Sequence, residues 1–207
     1  MSVQYTIPFT VQPDFSAQAL IPHAGIAAAR PWLGVEAQWP TSTLILSGQA
    51  ATGKSHLAAL ATLAACDLTV WDLTTQPLQG MLEAEQLFHL INHVQAHHGR
   101  LLILSRAHPT EIYPALPDLD SRLKAASHVN LREPEEEAQR QAILFKMATD
   151  HQLRLDLTTA AYISTRLPQT LAALRSFCTL ASQQHLKVKL SKIAAKPLIE
   201  AVGQAQT

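Results

Sequence analysis

Cysteine is scarce in this sequence, which has only Cys66 and Cys178 among its 207 residues. The two lie far apart, and neither belongs to a CxxC pair or to a Cys/His spacing that could bind zinc. This pattern disfavours a structural disulfide and is typical of free thiols in a reducing compartment. A fold held together by disulfides is therefore not expected.

The chain also has no excess of charge of one sign and no long apolar run. Sixteen Lys and Arg residues balance sixteen Asp and Glu residues, so the chain lacks the concentrated positive charge of most DNA-binding faces. The longest apolar runs, such as residues 101–104, are far shorter than the ~20 residues of a membrane span. The first residues show no basic stretch followed by an apolar run, so no secretory signal is visible. We therefore expect no membrane span, no direct sequence-specific DNA binding and a cytoplasmic protein.

Short apolar runs alternate with helical patterns along much of the chain. With 47% hydrophobic residues, the chain can bury one sizeable core. Buried strands are predicted at residues 43–47, 68–72, 101–105 and 128–131. Helices are predicted between them, at residues 54–65, 83–98 and 121–125. Strands that alternate with helices predict an α/β fold, with a parallel sheet that has helices on both faces.

The two ends of the chain differ from this central part. Residues 1–40 are rich in proline and poor in charge, which predicts an extended arm that leads into a short helix at residues 24–32. From residue 133 onward only helices are predicted, and the first of them begins at Pro134. We therefore expect three parts: an N-terminal arm at residues 1–15, an α/β domain at 16–132 and a small helical lid at 133–207.

A glycine-rich loop lies between the first predicted strand and the helix that follows it. Its sequence, GQAATGKS, matches the phosphate-binding pattern GxxxxGK[ST]. The glycines let backbone amides point at phosphate oxygens, Lys54 supplies a positive charge, and Ser55 offers a hydroxyl to Mg²⁺. The pattern predicts that the α/β domain binds ADP or ATP together with Mg²⁺. The predicted nucleotide-binding residues are Gly48, Gln49, Ala50, Ala51, Thr52, Gly53, Lys54, Ser55 and His56.

Hydrolysis of the nucleotide needs acidic residues at the end of a neighbouring strand. Asp72 ends the strand predicted at residues 68–72 and is the candidate for a magnesium ligand beside Ser55. The next residue is Leu73, so the usual pair of acids is incomplete. Asp72 could instead cap the following turn, and the short interval after Ser55 leaves open which strand of the sheet it ends. The sequence therefore favours nucleotide binding over turnover and predicts negligible intrinsic ATPase activity.

Residues 116–123, LPDLDSRL, are very similar to the LPDLxSRL segment of Hda-type proteins, which are DnaA-related AAA+ regulators. Residues 101–109 resemble the strand and turn that carry the first nucleotide sensor of this family, and residues 87–92 resemble the helix after its acidic strand. The resemblance implies an AAA+ core with a helical lid. It also implies that Arg122 is an arginine finger that acts on the ATP bound to DnaA, the replication initiator, and so switches initiation off.

The N-terminal arm resembles the peptide by which Hda-type proteins dock on the DNA polymerase sliding clamp. In the segment QYTIPF, Gln4 can satisfy paired donors and acceptors, Ile7 and Phe9 can fill an apolar pocket, and Pro8 limits the entropy lost on docking. The resemblance thus implies that Gln4, Ile7 and Phe9 bind the clamp. The alternative is an N-terminal strand that packs on the core.

The sequence departs from this family at Leu73, in the shortened interval before it, and in the lid. The lid position expected to hold a second sensor arginine has Gln169 or Ala172, and Arg166 and Arg175 flank it. Three functions remain open: a clamp-docked regulator of DnaA, which the resemblance favours, a P-loop ATPase or kinase with its own substrate, and a DnaA-like initiator. No basic helix-turn-helix module is visible, which weighs against the initiator. The sequence leaves the oligomeric state open, and a homo-oligomer is one option.

Overall fold

The computed structural model describes residues 13–33, 37, 39–65, 67–184 and 190–204. The residues expected to dock on the clamp, Gln4, Ile7 and Phe9, lie outside these ranges. Contacts divide the chain into two compact units, one formed by Phe15–Gln139 and one that contains the residues from Arg140 onward. The boundary expected at residue 133 stays a prediction.

The first unit is built around a sheet in which all neighbouring strands are parallel. Within the described residues, the strands are β1 (Thr43–Gly48), β2 (Leu68–Asp72), β3 (Arg100–Ser105) and β4 (Ser127–Leu131). Their order across the sheet is β2-β3-β1-β4. Strand β1 is central, because Leu44 pairs with Leu102 of β3 on one side and with Ser127 of β4 on the other. The parallel α/β sheet predicted from the sequence is confirmed.

Helices cover both faces of this sheet. They are α1 (Ala24–Ala27), α2 (Lys54–Ala64), α3 (Met81–Ala96) and α4 (Pro117–Ala125). Successive side chains of a strand point to opposite faces, so β1 places Leu44 and Leu46 on one face and Ile45 on the other. Leu44 and Leu46 pack with residues of α1 and α2, whereas Ile45 packs with residues of α3 and α4. Because both faces are covered, β1 and β3 are almost continuously apolar.

Three helices begin at residues other than those predicted, and the first is α3, which begins at Met81 rather than at residue 83. Helix α4 begins at Pro117 rather than at residue 121, since proline needs no N–H partner in a first turn. Asp118 and Asp120 also favour the positive end of this helix. The helix predicted to begin at Pro134 begins at Glu137 instead, and Pro134 is buried in the loop that follows β4. The strand boundaries agree with the prediction to within one residue.

The described residues from Arg140 onward are mainly helical. The helices are α5 (Glu137–Asp150), α6 (Leu157–Arg166), α7 (Leu171–Gln183) and α8 (Lys192–Gln204). Thr170 Oγ1 accepts a hydrogen bond from Ala173 N at the start of α7, and this cap fixes where the helix begins. Cys178 of α7 is buried, and burial raises the pKa of its thiol to about 12, so the thiol stays protonated. No helix in the described ranges is long and apolar enough to span a membrane.

The two edges of the sheet differ. At the β4 edge, Gly25 O of α1 accepts from Arg132 N at 2.9 Å, and Thr41 Oγ1 accepts from Ser127 N at 3.1 Å. A Cβ atom at Gly25 would lie 2.1 Å from Arg132 O, so this close approach of two backbones requires glycine. Gly25 and Thr41 therefore each form a hydrogen bond at one end of the β4 edge. At the other edge Val70 of β2 is exposed, and no described strand lies beyond it.

Candidate nucleotide-binding site

The glycine-rich loop lies where the sequence predicts it, between the end of β1 and the start of α2. Gly48 has a φ of +149° and Gly53 a φ of +94°, values that residues with side chains rarely adopt. A Cβ atom at Gly48 would also lie 2.7 Å from Leu131 O of β4. The two glycines therefore let the chain turn out of the sheet and enter α2. The first amides of α2 have no partner within the helix, so they are available to an anion.

Lys54 folds back over the loop that precedes it. Its side chain is buried, and Nζ donates to Gly48 O at 2.6 Å and to Gln49 O at 2.8 Å. Thr52 is also buried, and its Oγ1 donates to Gln49 O at 2.9 Å. These bonds hold the loop in a curled form and keep a positive charge at its centre. A phosphate oxygen is well suited to replace the carbonyl oxygens as the partner of this ammonium group.

The two residues after Lys54 have different surroundings. Ser55 is exposed in the first turn of α2, so its hydroxyl is accessible to a metal ion. His56 is buried, its Nε2 lies 2.8 Å from Ser16 O, and its ring packs edge-on against Phe15 with 5.4 Å between the ring centroids. His56 therefore connects α2 to the N-terminal segment. A contact between His56 and a nucleotide stays a prediction.

Asp72 ends β2, and β3 lies between β2 and the strand that carries the loop. Its Oδ1 accepts from Thr74 N at 2.8 Å and from Thr74 Oγ1 at 2.6 Å, so Asp72 caps the turn after the strand. No hydrogen bond within the described residues engages Oδ2, which is therefore accessible to a cation. Leu73 is 8% exposed and packs among the core residues of α3 and α4. The position after Asp72 thus faces the core and is unsuited to a second acid.

A cavity of about 400 Å³ lies beside the glycine-rich loop at the same edge of the sheet. Two arginines that the sequence analysis missed line it: Arg106 directly follows β3 and Arg132 directly follows β4. Both are exposed, so their guanidinium groups add positive charge to a wall that already contains the loop. Ligands of parallel sheets bind at the carboxyl ends of the strands, and that rule could have found both residues. The other lining residues are Ser47, Gly48, Gln49, Thr52, His108, Asn130, Leu131 and Glu133.

A polar network joins the strand ends that line this cavity. Ser47 Oγ donates to Asn130 Oδ1 at 3.1 Å and lies 2.7 Å from His128 Nε2. Because the hydroxyl has a single proton, His128 Nε2 is the donor in the second contact. His108 packs edge-on against His128 with 4.8 Å between the ring centroids. Burial, aided by the charge of His108, lowers the pKa of His128, which is neutral at physiological pH and fixes β4 to β1 through its hydrogen bond.

Arg122 lies on α4 and is not among the residues that line the cavity. Its Nη1 donates to Gln95 Oε1 of α3 at 3.2 Å, and its guanidinium carbon lies 5.2 Å from the centroid of the Phe88 ring. The side chain is half-buried against these two residues. The guanidinium group is therefore held at the surface of α3 and α4, and its role as a finger stays a prediction.

The sensor candidates of the lid have local partners within their own unit. Gln169 Nε2 donates to Ser164 O at 3.4 Å, and the guanidinium carbon of Arg166 lies 4.0 Å from the centroid of the Tyr162 ring. Burial of the His151 ring lowers its pKa. The charge of Arg175, which is exposed on α7, lowers this pKa as well. None of these contacts singles out one of the candidates as a sensor.

Comparison with solved structures identifies the class of this fold. The AAA domain of FIGL-1 in complex with ADP is similar with a TM-score of 0.54 at 14% identity, over 93% of this chain and 86% of that one. Domain III of the replication initiation protein DnaA from Thermotoga maritima is similar with a TM-score of 0.75 at 15% identity, over 93% of this chain and 98% of that one. The chain therefore has an AAA+ fold.

The fold is also similar to parts of longer DnaA chains. AMPPCP-bound DnaA from Aquifex aeolicus is also similar, with a TM-score of 0.60 at 14% identity, over 86% of this chain and 67% of that one. The DnaA-related AAA+ fold implied by the sequence resemblance is confirmed. At such low identities these likenesses show the fold alone. No protein-family model matches the chain, and no curated protein matches it.

Proposed function

We propose that this chain binds ADP or ATP with Mg²⁺ at the glycine-rich loop. The observation that carries the proposal is the buried Lys54 ammonium group, which lies 2.6 Å from Gly48 O inside a loop that opens onto the first turn of α2. The loop amides and the ammonium group together suit the β- and γ-phosphates. Residues 48–55 surround the phosphates, and His56 is the ninth residue that we propose for this site.

In this proposal Ser55 and Asp72 would hold the magnesium ion. Ser55 offers an exposed hydroxyl, and Asp72 offers Oδ2 while its Oδ1 remains bound to Thr74. Both would offer oxygen ligands, the type that Mg²⁺ prefers, and the ion would neutralise charge on the bound phosphates. Binding is favoured over turnover, because Leu73 packs in the core where an acid that activates water would be needed. The same feature weighs against an ATPase or kinase with its own substrate.

Titration with a fluorescent ATP analogue tests the proposal directly. Lys54→Ala should weaken binding by roughly 100-fold or more, because a charged hydrogen bond to phosphate is lost in a buried setting. Lys124→Ala is the matched control, since Lys124 is an exposed lysine that pairs with Asp120 on α4. Equal affinity of the Lys54 variant and the parent would remove the proposal.

We further propose that the chain acts on DnaA as an Hda-like negative regulator of replication initiation. The support is the LPDLDSRL segment, which forms α4, together with a fold similar to that of DnaA domain III. In this proposal Gln4, Ile7 and Phe9 dock on the sliding clamp, and Arg122 reaches the ATP bound to DnaA. Arg122 first leaves Gln95 and the Phe88 ring, contacts of modest strength at the surface.

The test mixes this protein, clamp loaded on DNA and ATP-bound DnaA, and follows formation of ADP on DnaA. Arg122→Ala should abolish the stimulation, because a guanidinium group supplied in trans is worth ~10³ to 10⁵ in rate in related systems. Lys124→Ala, two residues further along α4, should stimulate like the parent. Replacing Gln4, Ile7 and Phe9 by alanine should abolish clamp binding. Undiminished stimulation by Arg122→Ala would show that the finger is another residue.

A further inference from the structure

Two histidines, His93 and His97, lie side by side on the surface at the end of α3. His93 is in the last turn of the helix, and His97 directly follows Ala96, the last residue of the helix. His97 N donates to His93 O at 3.1 Å, so His97 continues the helical spacing. Residues four positions apart on a helix lie on the same face, one above the other. Both side chains of this histidine pair are exposed, and their ring centroids are 4.1 Å apart.

A hydrogen bond of the His97 ring determines which of its nitrogens can bind a metal ion. His97 Nδ1 lies 2.8 Å from His93 O. A carbonyl oxygen only accepts, so Nδ1 is the donor, and in the neutral ring Nε2 then has no proton. His97 Nε2 therefore offers a lone pair. A histidine that binds a metal through one nitrogen commonly donates from the other to a carbonyl or carboxylate oxygen, which fixes the tautomer and the orientation of the ring.

We propose that His93 and His97 together bind one divalent transition-metal ion of the class of Zn²⁺, Ni²⁺ and Cu²⁺. Imidazole nitrogen is a ligand that these ions prefer, whereas Mg²⁺ and Ca²⁺ prefer oxygen. A Zn–N bond is ~2.0–2.1 Å long, so two imidazole nitrogens that share an ion lie about 3 Å apart. Rings whose centroids are 4.1 Å apart reach that separation by small rotations of exposed side chains.

The site has two protein ligands, which distinguishes it from a structural metal site. The described residues contain no group of three or more His, Cys, Asp or Glu side chains that could hold a metal ion. His89 is exposed one turn earlier on α3, but its ring packs edge-on against Phe88 with 5.6 Å between the centroids, so it is not part of the pair. Structural zinc sites are closed by four protein ligands. An ion held by two side chains exchanges more readily, and we therefore expect a reversible site.

The histidine pair is separate from the nucleotide-binding loop and from the contacts of Arg122. The turn after α3 leads into the start of β3 at Arg100, whereas the glycine-rich loop follows the end of β1. In a parallel sheet the starts and the ends of the strands lie at opposite edges. Gln95, which accepts from Arg122, is two positions from each histidine, a rotation of about 200° around the helix axis. Metal binding at the pair therefore leaves both other sites unchanged.

Isothermal titration calorimetry of the untagged, nucleotide-free chain with Ni²⁺ tests the proposal. In excess Mg²⁺, which does not compete for imidazole, the parent should bind Ni²⁺ at one dominant site. His93→Ala and His97→Ala should each weaken this binding about tenfold or more, because the second ligand of a chelate acts at a high effective concentration. His89→Ala is the matched control, since it removes another exposed histidine of α3 and should bind Ni²⁺ like the parent. A parent that binds no Ni²⁺ at about 1 mM, or an equal loss in His89→Ala, would overturn the proposal.

Thermal unfolding supplies a second readout that does not depend on the heat of binding. An ion that binds only the folded chain raises its Tm. Ni²⁺ should raise the Tm of the parent and of His89→Ala, and should raise the Tm of His93→Ala and His97→Ala much less. Alanine favours helix more than histidine does, so the variants should be folded without metal. An equal rise in all four proteins would contradict the assignment to the pair. Lys54→Ala should bind Ni²⁺ like the parent, so failure of nucleotide binding and failure of this site are distinguishable.

Discussion

Strands β1 and β2 end at the same edge of one parallel sheet, yet the segments that follow them have different structures. After β1 the chain turns through Gly48 and Gly53 and wraps a loop around the buried Lys54 ammonium group. After β2 the carboxylate of Asp72 caps a turn, and the next side chain, Leu73, is buried in the core. The comparison separates two parts of P-loop chemistry. The loop after β1 has the glycines and the buried lysine that the proposed phosphate site needs, whereas the position after Asp72 is occupied by Leu73, which is buried in the core.

Placing an acid after Asp72 should produce the largest effect. Leu73→Glu buries a carboxylate among apolar residues of α3 and α4, and should lower the free energy of unfolding by about 4 kcal/mol without creating ATPase activity. Urea unfolding and an ATPase assay measure both effects. Leu73→Met keeps the volume and should stay close to the parent. A Leu73→Glu protein that is as stable as the parent and hydrolyses ATP would show that the position after Asp72 can accommodate a catalytic acid.

Replacing each glycine of the loop by alanine should separate two costs. One is the steric clash of the new Cβ atom, and the other is the strain of a positive φ. Gly48→Ala places Cβ 2.7 Å from Leu131 O at a φ of +149°, and should cost about 3 kcal/mol. Gly53→Ala meets no atom within 4 Å, so only its φ of +94° opposes it, at about 1 to 2 kcal/mol. Gly203→Ala in α8 also meets no atom and should not destabilise the protein. Thermal unfolding ranks the three variants, and equal losses at Gly48 and Gly53 would contradict the contact with β4.

Removing the charge at the end of β2 should have the smallest effect. Asp72→Asn retains an acceptor for Thr74 and should leave stability unchanged, while the Mg²⁺-dependent part of nucleotide affinity falls by about fivefold. Titrations with and without Mg²⁺ measure this difference. Asp67→Asn removes a carboxylate just before the start of β2 and is the matched control. If Mg²⁺ strengthens binding equally in the parent and in Asp72→Asn, Asp72 is a turn cap only.

Local sequence patterns predicted the strands, the loop and the helix after it, because each depends on neighbours in the chain. The boundaries of β2 were predicted as they are, since its apolar run is short and Asp72 ends it. The cavity was not predicted. Arg106 and Arg132 lie 26 positions apart and meet only because β3 and β4 pair with opposite sides of β1. Strand order is a property of long-range packing, and the alternation of strands and helices does not encode it.

The sequence resemblance predicted the fold but not the contacts of individual side chains. The LPDLDSRL segment implied the DnaA-related fold, which the structure confirms. It did not indicate that Arg122 rests on Phe88 and Gln95, because the partners belong to α3 and depend on how α3 packs against α4. Similarly, the short interval before Asp72 left its strand undefined. The pairing of β2 with β3 alone places Asp72 at the edge of the sheet.

The central place of β1 has a consequence for how the chain is synthesised. Of the described strands it is the first to leave the ribosome, and its neighbours follow late, because Leu44 pairs with Leu102 and with Ser127. Until β3 emerges the six buried residues of β1 lack both partner strands, and until β4 emerges they lack one of them. Closing such long loops is slow, and exposed apolar strands aggregate readily. We therefore expect β1 to stay incompletely paired, and prone to aggregation, until about residue 131 has emerged.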